Sequence, residues 1–251
     1  GDLYSLGRME YMVRPFGQLV RAYRHRATGR VLALVAGTYV CTADGYMNAG
    51  ETVESRPGNW ETVFEEHDDH VVGCPVSPRG HALPQTVTLK LSEWELVLKQ
   101  GDMMLDVHIP AGGNFTPDKC QDSMARAMAF FTRYFPDRPY RGFCCGSWIL
   151  DPGIAQWYRP DSNMVRWQEE LYLFPWPSGQ RTGLFFLFDD GNIDLATAPR
   201  DTSMRRAALD HLQAGGWMRA GGMFMLKEDF PRYGEQVYRS NWGGELLGLE
   251  G

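Results

Sequence analysis

The sequence has no apolar run near the ~20 residues that a membrane helix requires. It has no surplus of positive charge either: 25 Lys and Arg face 31 Asp and Glu, a formal net charge of −6. That excludes a nucleic-acid binder relying on bulk charge, because neutralising phosphates needs an excess of Lys and Arg on at least one face. Cysteine is sparse. Cys41, Cys74, Cys120, Cys144 and Cys145 form no C-x-x-C framework, and an odd count argues against a disulfide scaffold, so reduced thiols in a cytoplasmic protein are expected. No secretory leader pattern, internal repeat or low-complexity segment is visible. The first residue is Gly1, not Met, so a segment upstream is expected. With 43% hydrophobic and 22% charged residues the composition is that of a globular protein, and 251 residues are enough for one or two domains.

Up to about residue 104 the pattern is short β-like runs broken by turn residues. Residues 23–26 and 31–35 flank Ala27-Thr28-Gly29-Arg30, residues 37–42 and Tyr46 flank Ala43-Asp44-Gly45, and residues 61–66 and 71–74 bracket His67-Asp68-Asp69-His70. Each reads as a hairpin. Residues 85–91 resume strand character after Pro75, Pro78 and Pro84.

From residue 105 strands and helices alternate. Residues 105–110 read as a strand, 111–115 as a tight loop, and Thr116-Pro117-Asp118 as a helix start with N-cap, N1 proline and first-turn acid. Met124, Ala127, Met128, Phe131 and Phe135 recur at helical spacing until Pro136. A strand over 141–150, a short helix at 154–158, strands over 165–174 and 184–188, an Asp201-capped helix to Ala214 and a strand within 217–226 follow. The sequence thus predicts an α+β protein with a β-rich module over 1–104, a core over 105–226 and an irregular tail over 227–251.

The piece most suited to chemistry is strand, Gly112-Gly113 loop and capped helix. Glycines let main chain approach a ligand, and the free N–H groups of a helix's first turn attract phosphate oxygens. A plain connector has the same appearance, so the spacing alone leaves both open.

Five separated blocks carry a resemblance: Leu6-Gly7-Arg8-Met9-Glu10-Tyr11; residues 105–113, Leu-Asp-Val-His-Ile-Pro-Ala-Gly-Gly; Ser123, Ala127, Phe130-Phe131 and Tyr134-Phe135-Pro136; residues 145–152, Cys-Gly-Ser-Trp-Ile-Leu-Asp-Pro; and residues 160–168, Pro-Asp-Ser-Asn-Met-Val-Arg-Trp-Gln. In that order, over residues 5–226, they resemble the C-terminal domain of GNAT-like bacterial acyltransferases. The resemblance implies a GNAT-like fold in which acyl-CoA, acetyl-CoA or another acyl-pantetheine thioester, lies between two splayed strands, 105–110 and 141–150. Ile109, Ala111, Gly112, Gly113, Asn114, Phe115 and Thr116 would bind the cofactor. A small-molecule or peptide amine would attack the thioester directly, with a strand N–H near Ile109 stabilising the oxyanion; an acyl carrier protein is an alternative donor partner, and neither nucleic acid nor a membrane is expected. Family members usually carry a further segment before the Leu-Gly-Arg motif.

Within that frame His108 is the candidate base, because an imidazole titrates near neutral pH whereas an amine needs deprotonation before attack. A histidine bonded within the sheet is its alternative. Ser147 would protonate the leaving thiolate or bind substrate, or satisfy a local backbone group. Asp161 and Ser162, with Asn163, form a polar cluster that serves catalysis or caps the next helix. Two departures from the family pattern stand out: the usual loop begins with Arg or Gln, whereas this one reads Ile109-Pro110-Ala111-Gly112-Gly113-Asn114, and some similar proteins carry His in place of Gly146.

Other readings compete. Cys144 or Cys145 with His108 would suggest a thiol nucleophile. His67 and His70 among acids would suggest a metal, although a solvated hairpin tip explains them and no metal is expected. Arg200, Arg205 and Arg206 would suit a CoA 3′-phosphate or an exposed basic helix face. The class-level alternative to an enzyme is a non-catalytic GNAT-derived binding or interaction module.

Overall fold

The computed structural model of the chain describes residues 2–49, 57–112 and 114–250. The chain opens with β1 (Tyr4–Leu6), β2 (Met9–Pro15), β3 (Val20–His25), β4 (Val31–Val35), β5 (Val40–Cys41) and β6 (Trp60–Glu61). It continues through β7 (Phe64–Glu66), β8 (His70–Gly73), β9 (Pro75–Val76), β10 (Val87–Lys90), β11 (Trp94–Leu98) and β12 (Met103–His108). Helices then alternate with strands: α1 (Pro117–Tyr134), β13 (Gly142–Ser147), α2 (Ile154–Trp157), α3 (Asn163–Glu169), β14 (Tyr172–Pro175), α4 (Leu184–Phe188), α5 (Ser203–Gln213), β15 (Gly221–Leu226) and α6 (Val237–Ser240).

The principal sheet runs β1-β2-β12-β13-β15-β14. Strand β12 is antiparallel to β2, from Met103↔Pro15 to His108↔Glu10, and parallel to β13. Strands β1 and β2 therefore belong to the same sheet as the strands of the second half, and residue 104 lies inside β12. Sheets β11-β3-β4-β9, β10-β8-β7 and the two-stranded β5-β6 make up the β-rich region beside it. One buried phenol ties these layers: the Tyr172 hydroxyl accepts from Ala33 N at 2.9 Å and from Trp242 Nε1 at 3.0 Å, and donates to Val76 O at 2.5 Å. The final segment is also core, since Val237, Tyr238 and Trp242 are buried.

Helix α1 forms as its periodicity dictates. Cys120, Ser123, Met124, Ala127 and Phe131 make its buried stripe, and burying each large side chain contributes about 1.5–3 kcal/mol. Thr116 occupies the N-cap position, but its hydroxyl makes no capping bond.

Two expected strands are helical. Within 165–174 only residues 172–174, the first part of β14, pair in the sheet, because the Ser162 hydroxyl accepts from Val165 N and starts α3 ahead of them. Residues 184–188 fold as α4: Leu184 and Phe188, one turn apart, bury against Ala208, Leu209, Leu212 and Met218, while Phe185 and Phe186 are exposed. A five-residue apolar run fits either period until a partner surface selects one. Thr202, not Asp201, caps α5 by accepting from Arg205 N; Asp201 instead pairs with the Arg205 guanidinium at 3.0 Å. Among the described residues no helix is long and apolar enough to cross a membrane.

Candidate active site

The site begins where two strands part. Strands β12 and β13 are paired at Leu105↔Phe143 and Asp106↔Cys144, and the ladder stops there. Beyond it Val107 and His108 on one side and Cys145, Gly146 and Ser147 on the other line a cleft of about 350 Å³. Pro110 has no N–H to extend the pairing, and the chain turns away through Ala111 and Gly112, whose φ of 76° suits glycine. A Cβ on Gly112 would meet nothing within 4 Å, so the residue faces open space.

The loop is braced from a distant part of the chain. Ser123 on α1 accepts from Met9 N at 3.0 Å, donates to Leu6 O at 2.6 Å and bonds the Tyr11 hydroxyl at 2.9 Å. This fixes the β1–β2 turn, where Gly7 adopts φ 83°. Arg8 at that turn donates from Nη2 to Pro110 O at 3.0 Å and to Gly112 O at 2.7 Å. Its guanidinium lies 5.3 Å from the Phe115 ring centroid, and Phe115 packs edge-on against buried Trp167. The positive group missing from the loop's own sequence thus arrives from the Leu-Gly-Arg block. Nothing local in the sequence connects residues 8 and 112, so Arg8 carries no site role at that level.

The remaining candidates divide. Ile109, Ala111, Gly112 and Phe115 line the cleft together with His108 and Ser147. Asn114 is exposed outside its lining, Thr116 sits at the start of α1, and Gly113 lies outside the described residues. His108 ends β12, exposed, opposite Glu10. The Ser147 hydroxyl makes no hydrogen bond within the described protein. Asp161 and Ser162 line an adjoining cavity of about 420 Å³, which shares Phe115, Trp148 and Met164 with the cleft. Asp161 accepts from Arg159 at 3.2–3.3 Å, and Ser162 is the α3 cap.

Gly146 has a specific neighbour. A Cβ there would lie 2.5 Å from the Trp176 ring, so the indole occupies the space that a side chain on this strand would need.

The competing chemistries lose their footing. Cys144 and Cys145 are buried, and burial, with the Asp106 carboxylate nearby, pushes both thiols well above the ordinary range, the reverse of an activated nucleophile. His67 and His70 stack at 4.4 Å on an exposed hairpin tip, and among the described residues no three His, Cys, Asp or Glu could hold a metal. Arg200 pairs with Asp210, Arg205 pairs with Asp201 and donates to Leu187 O, and Arg206 donates to Arg200 O, so these charges are engaged within and beside α5.

The family model for the GNAT-like C-terminal domain matches residues 3–224. The chain belongs to that family, and its α+β fold is GNAT-like. No protein of curated function matches it. Among solved structures it is similar to an acyltransferase in complex with CoA and 10C-teicoplanin, at 30% identity over 50% of this chain and 42% of that one, TM-score 0.46. It is also similar to an acyltransferase in complex with decanoyl-CoA, at 26% identity over 65% and 46%, TM-score 0.47. The matched region spans less than half the length of those chains.

Proposed function

We propose that the chain transfers an acyl group from acyl-CoA to an amine acceptor by direct attack, without a covalent enzyme intermediate. The carrying observation is the β12–β13 ladder that ends at Asp106↔Cys144 and opens into a cleft beside the Gly112 loop and the start of α1. Unpaired main chain at a strand edge seeks partners, and a pantetheine arm is a chain of amides able to supply them. Main-chain N–H groups of residues 111–116, the first turn of α1 and the positive Arg8 would hold the pyrophosphate.

In this reading the acceptor's ammonium gives one proton to His108, directly or through a water. The free amine attacks the thioester carbon, and a tetrahedral oxyanion forms against an N–H near Ile109. Its collapse breaks the C–S bond. The nitrogen's surplus proton leaves, the thiolate is protonated with Ser147 in reach of it, and the products are an amide, CoA thiol and one proton released to solvent. Asp161 and Ser162 are given a positioning part, through Arg159 and the α3 cap.

The test is calorimetry with CoA followed by thiol release from acetyl-, octanoyl- and decanoyl-CoA with a primary amine present. Binding with amine-dependent release is the expected result. Binding without release under any donor would favour the non-catalytic module, a carrier-protein donor being examined with acyl-phosphopantetheinyl protein. Absence of CoA binding would sink the reading.

A further inference from the structure

The sheet has a second cavity on its other face. Side chains alternate along a strand, so Tyr11, Val107, Phe143 and Cys145 face α1, as the Tyr11–Ser123 bond fixes, while Arg14, Asp106, Cys144 and Gly146 face away. On that far side lies a cavity of about 300 Å³ lined by Arg14, Gln18, Asp106, Gly146 and Trp176 among others. Gly146 also lines the coenzyme cleft, so the two spaces meet where the strands part. Their linings differ in kind. The cleft presents Val107, Ile109, Phe115, Ile149, Met164 and Phe186, suited to a thioester arm and its acyl chain. The far cavity presents a carboxylate, an amide and a guanidinium.

We propose that this far cavity receives the acceptor, and that Asp106 recognises it as a primary alkylammonium ion. The proposal rests on the amine-transfer reading above and names its acceptor subsite. Asp106 is the cavity's one carboxylate among the lining residues. It is 29% exposed, and its single ion pair is with Arg14, 60% exposed, at 3.3 Å. An exposed guanidinium at that distance is held weakly and yields to a cation entering the cavity. Burial raises the Asp106 carboxyl above its ordinary value, with Arg14 and His108 only partly opposing this. The neighbouring Gln18 adds an amide whose oxygen has no hydrogen-bond partner. Trp176, whose indole lies against Gly146, lines the same cavity and would border the alkyl part. His108, two residues along the same strand face, is placed to take the proton once the ammonium is bound.

The test uses the whole chain and two independent readouts. In calorimetry with n-butylammonium chloride, against n-butanol as the neutral isostere, the wild type should bind the cation and not the alcohol. Asp106→Asn should lose at least about tenfold in cation affinity, the scale of one charge-assisted hydrogen bond. CoA affinity should stay within about twofold, and Asp106→Glu should recover part of the loss. In turnover with n-butylamine and acetyl-CoA, Asp106→Asn should raise the acceptor KM by the same factor and leave the donor KM unchanged. Equal cation affinity in wild type and Asp106→Asn, or a parallel loss of CoA affinity, would overturn the proposal. The cation titration reads Asp106 even if no acyl transfer occurs, so failure of the subsite and failure of the acyltransferase reading give different results.

Discussion

Strand β13 has two neighbours and is joined to them very differently. Against β15 it is paired from Gly142↔Leu226 to Ser147↔Gly221, whereas against β12 it is paired only at Leu105↔Phe143 and Asp106↔Cys144. The closed edge is made possible by glycines under pressure. A Cβ on Gly221 would lie 1.9 Å from Leu150 O, one on Gly222 1.9 Å from the Phe174 ring, and one on Gly142 2.1 Å from Met225 O. On the open edge a Cβ on Gly112 would meet nothing within 4 Å. The same residue type thus serves packing on one side of the strand and access on the other.

Gly221→Ala should break the closed edge, because the obstructing atom is backbone and cannot rotate away. A loss of about 3 kcal/mol is expected, read as a lower urea midpoint with an unchanged slope. The matching change on the open edge, Gly112→Ala, should cost only the left-handed backbone, about 1–2 kcal/mol, and its main effect should be weaker CoA binding. Equal destabilisation by both would erase the contrast between the edges.

His108→Ala probes the open edge chemically: kcat should fall by about a hundredfold, within the usual range for a lost general base, while CoA affinity changes little. An unchanged rate would remove His108 from the mechanism. Arg8→Met should loosen the loop without touching the strands. About a tenfold loss of CoA affinity is expected, consistent with losing charge-assisted bonds to Pro110 O and Gly112 O, whereas an intact affinity would leave Arg8 as hairpin structure only.

Asp106→Asn sharpens the comparison most gently. Burial raises this carboxyl in the fold, with Arg14 from β2 and His108 from its own strand lowering it in part and the buried Cys144 thiol beside it on β13. A carboxylate whose folded pKa is raised adds stability below its unfolded pKa and loses that contribution as pH rises through the folded one. At pH 7 the native carboxylate is therefore a cost that the neutral amide lacks. Asp106→Asn should melt slightly above wild type at pH 7, and the two curves should converge as pH falls. A variant that is less stable at pH 7 would mean that the exposed Arg14 pair outweighs burial.

Much of this architecture was legible residue by residue. The α1 stripe, the hairpins at 23–35 and 61–74, and the strand, loop and helix at 105–135 follow from local period and turn chemistry, which act over a few residues. The family blocks pointed to the correct fold. Residues 165–169 and 184–188 were misread because a short apolar run satisfies strand and helix equally until its burial partners are known. Within its strand Asp106 reads as an ordinary alternating polar position, so nothing local singles it out.

What the sequence determined by itself was the apolar stripe of α1, the glycine at the turn after β12 and the histidine at the end of that strand. Tertiary structure decided that Arg8 would brace a loop a hundred positions away, that Trp176 would lie on Gly146, and that the sheet would open onto two unlike cavities. The reason is physical: local torsional preferences are set by near neighbours in the chain, whereas the place where a ladder stops, and the charges that meet there, depend on which distant segments the folded core brings together.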